Sequence, residues 1–176
     1  MGLLLLPHHA RYLYADDKLL TAFLAVEAYH RIAIGGTPVD PDEHLRRVDA
    51  IVAGAPEEHR GWARQTLQSK NTKGQRRQLD EVIERAGTTG TAVCASVPGF
   101  AALAVKCRQQ VAHPGPITDH AGVRYLASSI GLRWLLRHCL LADLCLPDTH
   151  IDHLIGGGHA FQQDMALLRG WSAHLV

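Results

Sequence analysis

Apolar side chains recur every three or four residues along most of this chain, in runs closed by glycine and proline, and no clear stretch alternates polar with apolar. A period near 3.6 selects helices and a period of two selects strands, so the pattern predicts helix after helix and no sheet. The first predicted helix runs from about Asp16 to Ile34, with Leu20, Phe23, Leu24, Glu27 and Arg31 at helical spacing, and Gly35-Gly36 closes it. A second follows Asp40-Pro41, where Asp40 is placed to cap and Pro41 to occupy the first turn, and it carries Leu45, Val48 and Ile51-Val52. A short helix from Pro56 to Leu67 is read as anchored by Trp62, and a fourth runs from near Thr72 to Gly87 through Leu79, Val82 and Ile83. Val97 to Ala112 presents Phe100, Leu103, Ala104 and Cys107 on one face, and a last long helix opens at Asp119 and continues to about Leu144. The fold class that follows is an all-α bundle of long helices joined by short ones.

The 176 residues suffice for one globular domain, read as a core over about 12–146 and a C-terminal extension over 147–176 with a short helix. A formal net charge of +1 does not mark the chain as a nucleic-acid binder, so any such contact must come from a local patch. Met1-Gly-Leu-Leu-Leu-Leu-Pro7 lacks the basic leader and the length of a secretory signal, and no apolar run approaches the roughly 20 residues that cross a bilayer. The expectation is a cytoplasmic protein without a membrane segment. Cys94, Cys107, Cys139 and Cys145 show no CxxC spacing and read as reduced core thiols.

Two segments carry side chains suited to chemistry. The first is Arg108-Gln-Gln-Val-Ala-His113-Pro-Gly, at the end of an apolar helical run. Arginine offers a permanent planar cation that fits phosphate oxygens, and histidine takes and gives protons near neutrality. Five residues along an ideal helix turn about 500°, leaving the two side chains roughly 140° apart. Pro114 biases His113 out of the helical region, which frees the imidazole to swing toward the arginine. The competing reading is local, since Arg and His in a last turn also satisfy free carbonyls and the negative end of the helix dipole.

The second segment, Asp148-Thr-His150-Ile-Asp152-His153, comes one residue short of the HxHxDH pattern of metallo-β-lactamase-like hydrolases. That pattern needs strands and distant further ligands, so no metal ligand and no cofactor is assigned here, and a helical cap or exposed polar turn is the alternative. Gly156-Gly157-Gly158 lacks the Lys-Ser/Thr of a phosphate loop and reads as a hinge before a short helix with Trp171.

Arg108-Gln109 with His113 resembles the R-polar-(variable)-H motif of HEPN domains, all-helical modules many of which are metal-independent ribonucleases. Leu19 to Arg31, with Glu27 before an aromatic, His30 and Arg31, is similar to the first long helix of ApeA-type HEPN domains. Asn71 to Leu79 and Leu132 to Leu144 resemble their middle segment and long last helix, so the likeness spans about 12–146. Such motifs usually carry Asn after the arginine, where this chain has Gln109. The resemblance implies RNA cleavage, with tRNA among the possible substrates, by His113 as general base or general acid and Arg108 stabilising phosphate charge, with Gln109 beside them. It implies a homodimer with a composite site, a role in anti-phage defence or as a toxin, and a regulatory or antitoxin partner. Glu27 either orients Arg108, as the family implies, or pairs with Arg31 at i,i+4. Arg31, Lys106 and His30 are candidate RNA contacts, as is the cluster Lys70, Lys73, Arg76 and Arg77; Arg133, Arg137 and His138 are candidates to line the cleft. Two further readings stay open: a HEPN-like module that only dimerises or binds a ligand, or an unrelated helical metal-dependent hydrolase using the His/Asp-rich tail. ApeA-type proteins usually carry a separate region ahead of the HEPN domain, so this chain is expected to be a truncated or stand-alone relative.

Overall fold

The computed structural model describes residues 14–113 and 120–175, and among them the chain is helical with no strand. Two compact units are present, one holding the chain up to Ile34 and from Gln75 onward, the other Gly35–Gly74.

In the larger unit, α1 (Ala15–Tyr29) places Asp16 and Asp17 in its first turn, where negative charge suits the helix dipole. Its stripe Leu19, Ala22, Phe23, Val26 and Tyr29 is buried, while Leu24 is exposed. The helix runs into a π-helical turn, His30–Ile34, and stops at Gly35 and Gly36, both at positive φ. The smaller unit pairs α2 (Pro41–Gly54) with α3 (Glu57–Gln68). Asp40 caps α2 by accepting from the N–H groups of Asp42 (3.0 Å) and Glu43 (3.1 Å). The Asn71 side chain closes this unit by bonding both backbone groups of Val39. Trp62 does not anchor α3: its ring is 70 % exposed, since α3 buries no side chain at all.

The chain then continues through α4 (Gln75–Arg85), α5 (Gly87–Ser96), α6 (Phe100–Ala112), α7 (Ala121–Asp143), α8 (Asp148–Gly156) and α9 (His159–Trp171), with a 3-10 turn at Ser172–His174. Helix α5 occupies a stretch for which the apolar pattern predicts nothing, and it meets α6 at 74° across Val97-Pro98-Gly99. The axis of the unit is α7, whose 23 residues span about 35 Å. Its middle is buried on every side, from Ala127 to Leu132 and again at Trp134, Leu135, Leu136 and Cys139. Helices α1, α4, α5, α6, α8 and α9 all pack against it. The expected opening residue of this helix, Asp119, lies outside the described residues.

The tail is a larger structural element than its sequence suggests. Ile151 and Ile155 of α8 and Phe161, Met165 and Leu168 of α9 join the same apolar core as Phe23, Phe100 and Leu135. No single helix among the described residues is long and apolar enough to cross a membrane.

Candidate functional site at the end of α6

Helix α6 starts after Gly99, at φ 73°, and buries Phe100, Ala101, Ala104 and Cys107. That stripe leaves Lys106 and Gln109 exposed and sets Arg108 half-buried, one turn beyond Ala104. The helix ends at Ala112. His113 leaves helical geometry (φ −129°, ψ 78°), while its N–H still bonds the Gln109 carbonyl at 2.9 Å, and its side chain is exposed. The break therefore falls where a proline after His113 predicts it, although Pro114 lies outside the described residues.

Among the described residues, the side chains of Arg108, Gln109 and His113 have no hydrogen-bond or ion-pair partner. Among the described residues, then, a half-buried guanidinium, an exposed amide and an exposed imidazole lie within the last turns of one helix with their donors and acceptors left open. That is a set able to receive phosphate oxygens and to exchange a proton.

The residues around this end divide sharply. Glu27 accepts a hydrogen bond from the Gln75 amide at 2.9 Å and bonds neither Arg31 nor Arg108. The partner comes from α4, 48 residues away in sequence, where no local spacing could reveal it. His30 is no surface contact: it is 3 % exposed, and its Nε2 lies 2.6 Å from Glu81, which Arg77 also approaches at 3.3 Å. Arg31 and Lys106 are exposed and stand among the described residues without an ion pair. Two of the four residues of the basic cluster are ion-paired within α4. Arg76 pairs with Asp80 at 3.1 Å, Arg77 with Glu81, and Lys73 donates to the Gly35 carbonyl.

His138 is buried and bonded to Thr89 at 3.0 Å, so it does not line a cleft, whereas Arg133 and Arg137 open into a groove with α9. The His/Asp segment of the tail is helical, with Ile151 inward and Asp152 accepting from the Thr88 hydroxyl. Among the described residues no three His, Cys, Asp or Glu side chains gather as metal ligands. All four cysteines are free; Cys107 and Cys139 are buried, Cys94 half-buried and Cys145 exposed. Burial pushes the Cys139 thiol up to about 12 and raises the neighbouring Tyr29 phenol. Tyr29 accepts from Arg85 at 2.7 Å, and Arg85 in turn bonds Asp143, a buried-edge network that local spacing did not reveal.

The sequence model of the Apea-like HEPN family matches residues 20–150. The chain belongs to the Apea-like HEPN family. Comparison with curated proteins and with solved structures gives no match. The matched span of this Apea-like HEPN domain begins in α1 and ends in α8, so it contains Glu27, Arg108 and His113, while α9 lies beyond it. Membership in this family points to a nuclease or RNA-related function.

Proposed function

We propose that this Apea-like HEPN domain is a metal-independent endoribonuclease whose site is built on Arg108 and His113. The observation that carries the reading is that Arg108, Gln109 and His113, in the last turns of α6 in a chain of this family, have no side-chain partner among the described residues. In the reaction the ribose 2′-oxygen bonds to the adjacent phosphorus and the bond from phosphorus to the 5′-oxygen breaks. The 2′-hydroxyl proton passes to a base and the leaving 5′-oxygen takes one from an acid. His113 serves one of these two ends, and Arg108 neutralises charge growing on the non-bridging oxygens. The products are a 2′,3′-cyclic phosphate and a 5′-hydroxyl.

A single imidazole serves both ends poorly in one step, which favours a homodimer that brings two copies of the motif across a two-fold axis. Exposed Arg31 and Lys106 supply phosphate contacts on the same unit. A cell keeps such an activity silent until infection or stress, so an anti-phage or toxin role with a regulatory or antitoxin partner in the cytoplasm fits this reading. The test is incubation of the protein in excess EDTA with tRNA and with an oligoribonucleotide carrying a single 2′-deoxy position at each observed cut. Cleavage that leaves cyclic-phosphate ends and stops at the deoxy positions is expected. Cleavage of the deoxy-substituted strand at the same position would refute the 2′-hydroxyl mechanism.

A further inference from the structure

The groove between α7 and α9 is lined by Arg133, Trp134, Arg137, Ala160 and Asp164 and encloses ≈ 290 Å³. Arg133 and Arg137 are four residues apart on α7, so both project from one face of that helix. Their charges are incompletely answered. Asp164 of α9 accepts the Trp134 indole N–H at 2.8 Å, and Arg133 Nη2 stands 3.7 Å from that same carboxylate oxygen, beyond hydrogen-bond length. Arg133 Nε is buried and has no acceptor among the described residues. The Arg137 guanidinium lies over the Trp134 ring at 5.2 Å and has no carboxylate partner among the described residues. The ring is itself packed edge-to-face with Phe161, 5.1 Å away, so Arg137 rests on a platform that is held by a second aromatic ring.

We propose that this groove is a binding site for a phosphate monoester, gripped by Arg133 and Arg137. Two guanidinium forks against one carboxylate leave a local excess of positive charge, and the one carboxylate is already engaged by the indole. A dianionic phosphate answers both forks at once, whereas a lone carboxylate or a phosphodiester brings a single charge. The accessible N–H groups of the two forks, rather than the buried Arg133 Nε, are the donors an anion in the groove meets. The site is separate from the end of α6. Its lining comes from α7 and α9 and includes no residue of α6. Asp164 and Ala160 belong to α9, outside the span that the family shares.

The test is calorimetric titration of the full chain with adenosine 5′-monophosphate and with inorganic phosphate, alongside Arg133→Gln, Arg137→Gln and Arg108→Ala proteins whose folding is checked by circular dichroism. Expected is saturable binding of the monophosphate with a dissociation constant at or below about 1 mM, weakened about tenfold or more by Arg137→Gln and retained in Arg108→Ala. Arg137 is exposed, so its replacement tests the site even where Arg133→Gln fails to fold. Equal affinity for inorganic phosphate identifies the free anion as the ligand, and a clear preference for the nucleotide identifies the monoester; both uphold the site. Absence of binding by either anion, binding indifferent to Arg137→Gln, or binding lost in Arg108→Ala would overturn it.

Discussion

His138 shows how a single titratable side chain ties the family core to the tail. Its Nδ1 meets the Thr89 hydroxyl of α5, it is 4 % exposed, and Asp148 and Asp152 of α8 are the charged groups that act on it. Burial outweighs those two carboxylates and holds its pKa below the ordinary 6.5. The folded chain therefore keeps this imidazole neutral while the unfolded chain takes up a proton as pH falls through 6.5. Since the unfolded state then binds more protons, stability drops as pH falls below that value, and the drop ends once the pH is below the folded pKa. Melting temperature measured from about pH 8 to about pH 5 is expected to fall in the parent, and to fall less steeply in His138→Gln. Parallel pH profiles for the two proteins would contradict this placement of His138. Arg108 and His113 are the opposite case: their identities and the proline after them are plain in the sequence, because the features that expose them are local. The fate of Glu27 was not legible, since its partner Gln75 is brought in by tertiary packing.

At the scale of elements, the crossing of α6 on α7 depends on Gly131. A Cβ added there meets the Phe100 ring, with Cζ at 2.5 Å, and stands 3.1 Å from a Val93 methyl. Gly131→Ala is thus expected to destabilise the protein by about 1–3 kcal/mol in denaturant unfolding, because a packed core gives way only by moving whole side chains. An unchanged midpoint would show that the two helices do not pack this closely. Helix periodicity made α1, α2, α3, α4, α6 and α7 legible in the sequence to within a few residues, with Asp40 correctly read as a cap. Helix α5 escaped because Gly87-Thr-Thr-Gly-Thr91 has low helix propensity and no apolar stripe, and tertiary burial of Thr89, Gly90 and Val93 decides its state instead. Trp62 misled for the converse reason: a large aromatic suggests a core, but α3 has no core to enter.

In the larger unit as a whole, stability is drawn from both sides of the family boundary. Phe161, Met165, Leu168 and Leu175 are buried in the common core, and removing each forfeits about 1.5–3 kcal/mol, against a total of about 5–15 kcal/mol for an ordinary domain. A chain ending at Gly156 contains the entire family match, yet it is expected to lose cooperative thermal unfolding; a midpoint equal to the parent's would show that α9 is dispensable. The chain is near-neutral, with a net charge of +1, and among the described residues Lys106 and Arg108 of α6 and Arg137 in the groove with α9 are cations without an ion pair. The central claim is that the site at the end of α6 cleaves RNA. Its most direct test is the rate of RNA cleavage in excess EDTA by the parent, Arg108→Ala and His113→Ala proteins, each confirmed folded. Cleavage by the parent, with a loss of at least about a hundredfold in either variant, is the predicted result. Cleavage that survives in both variants would contradict it.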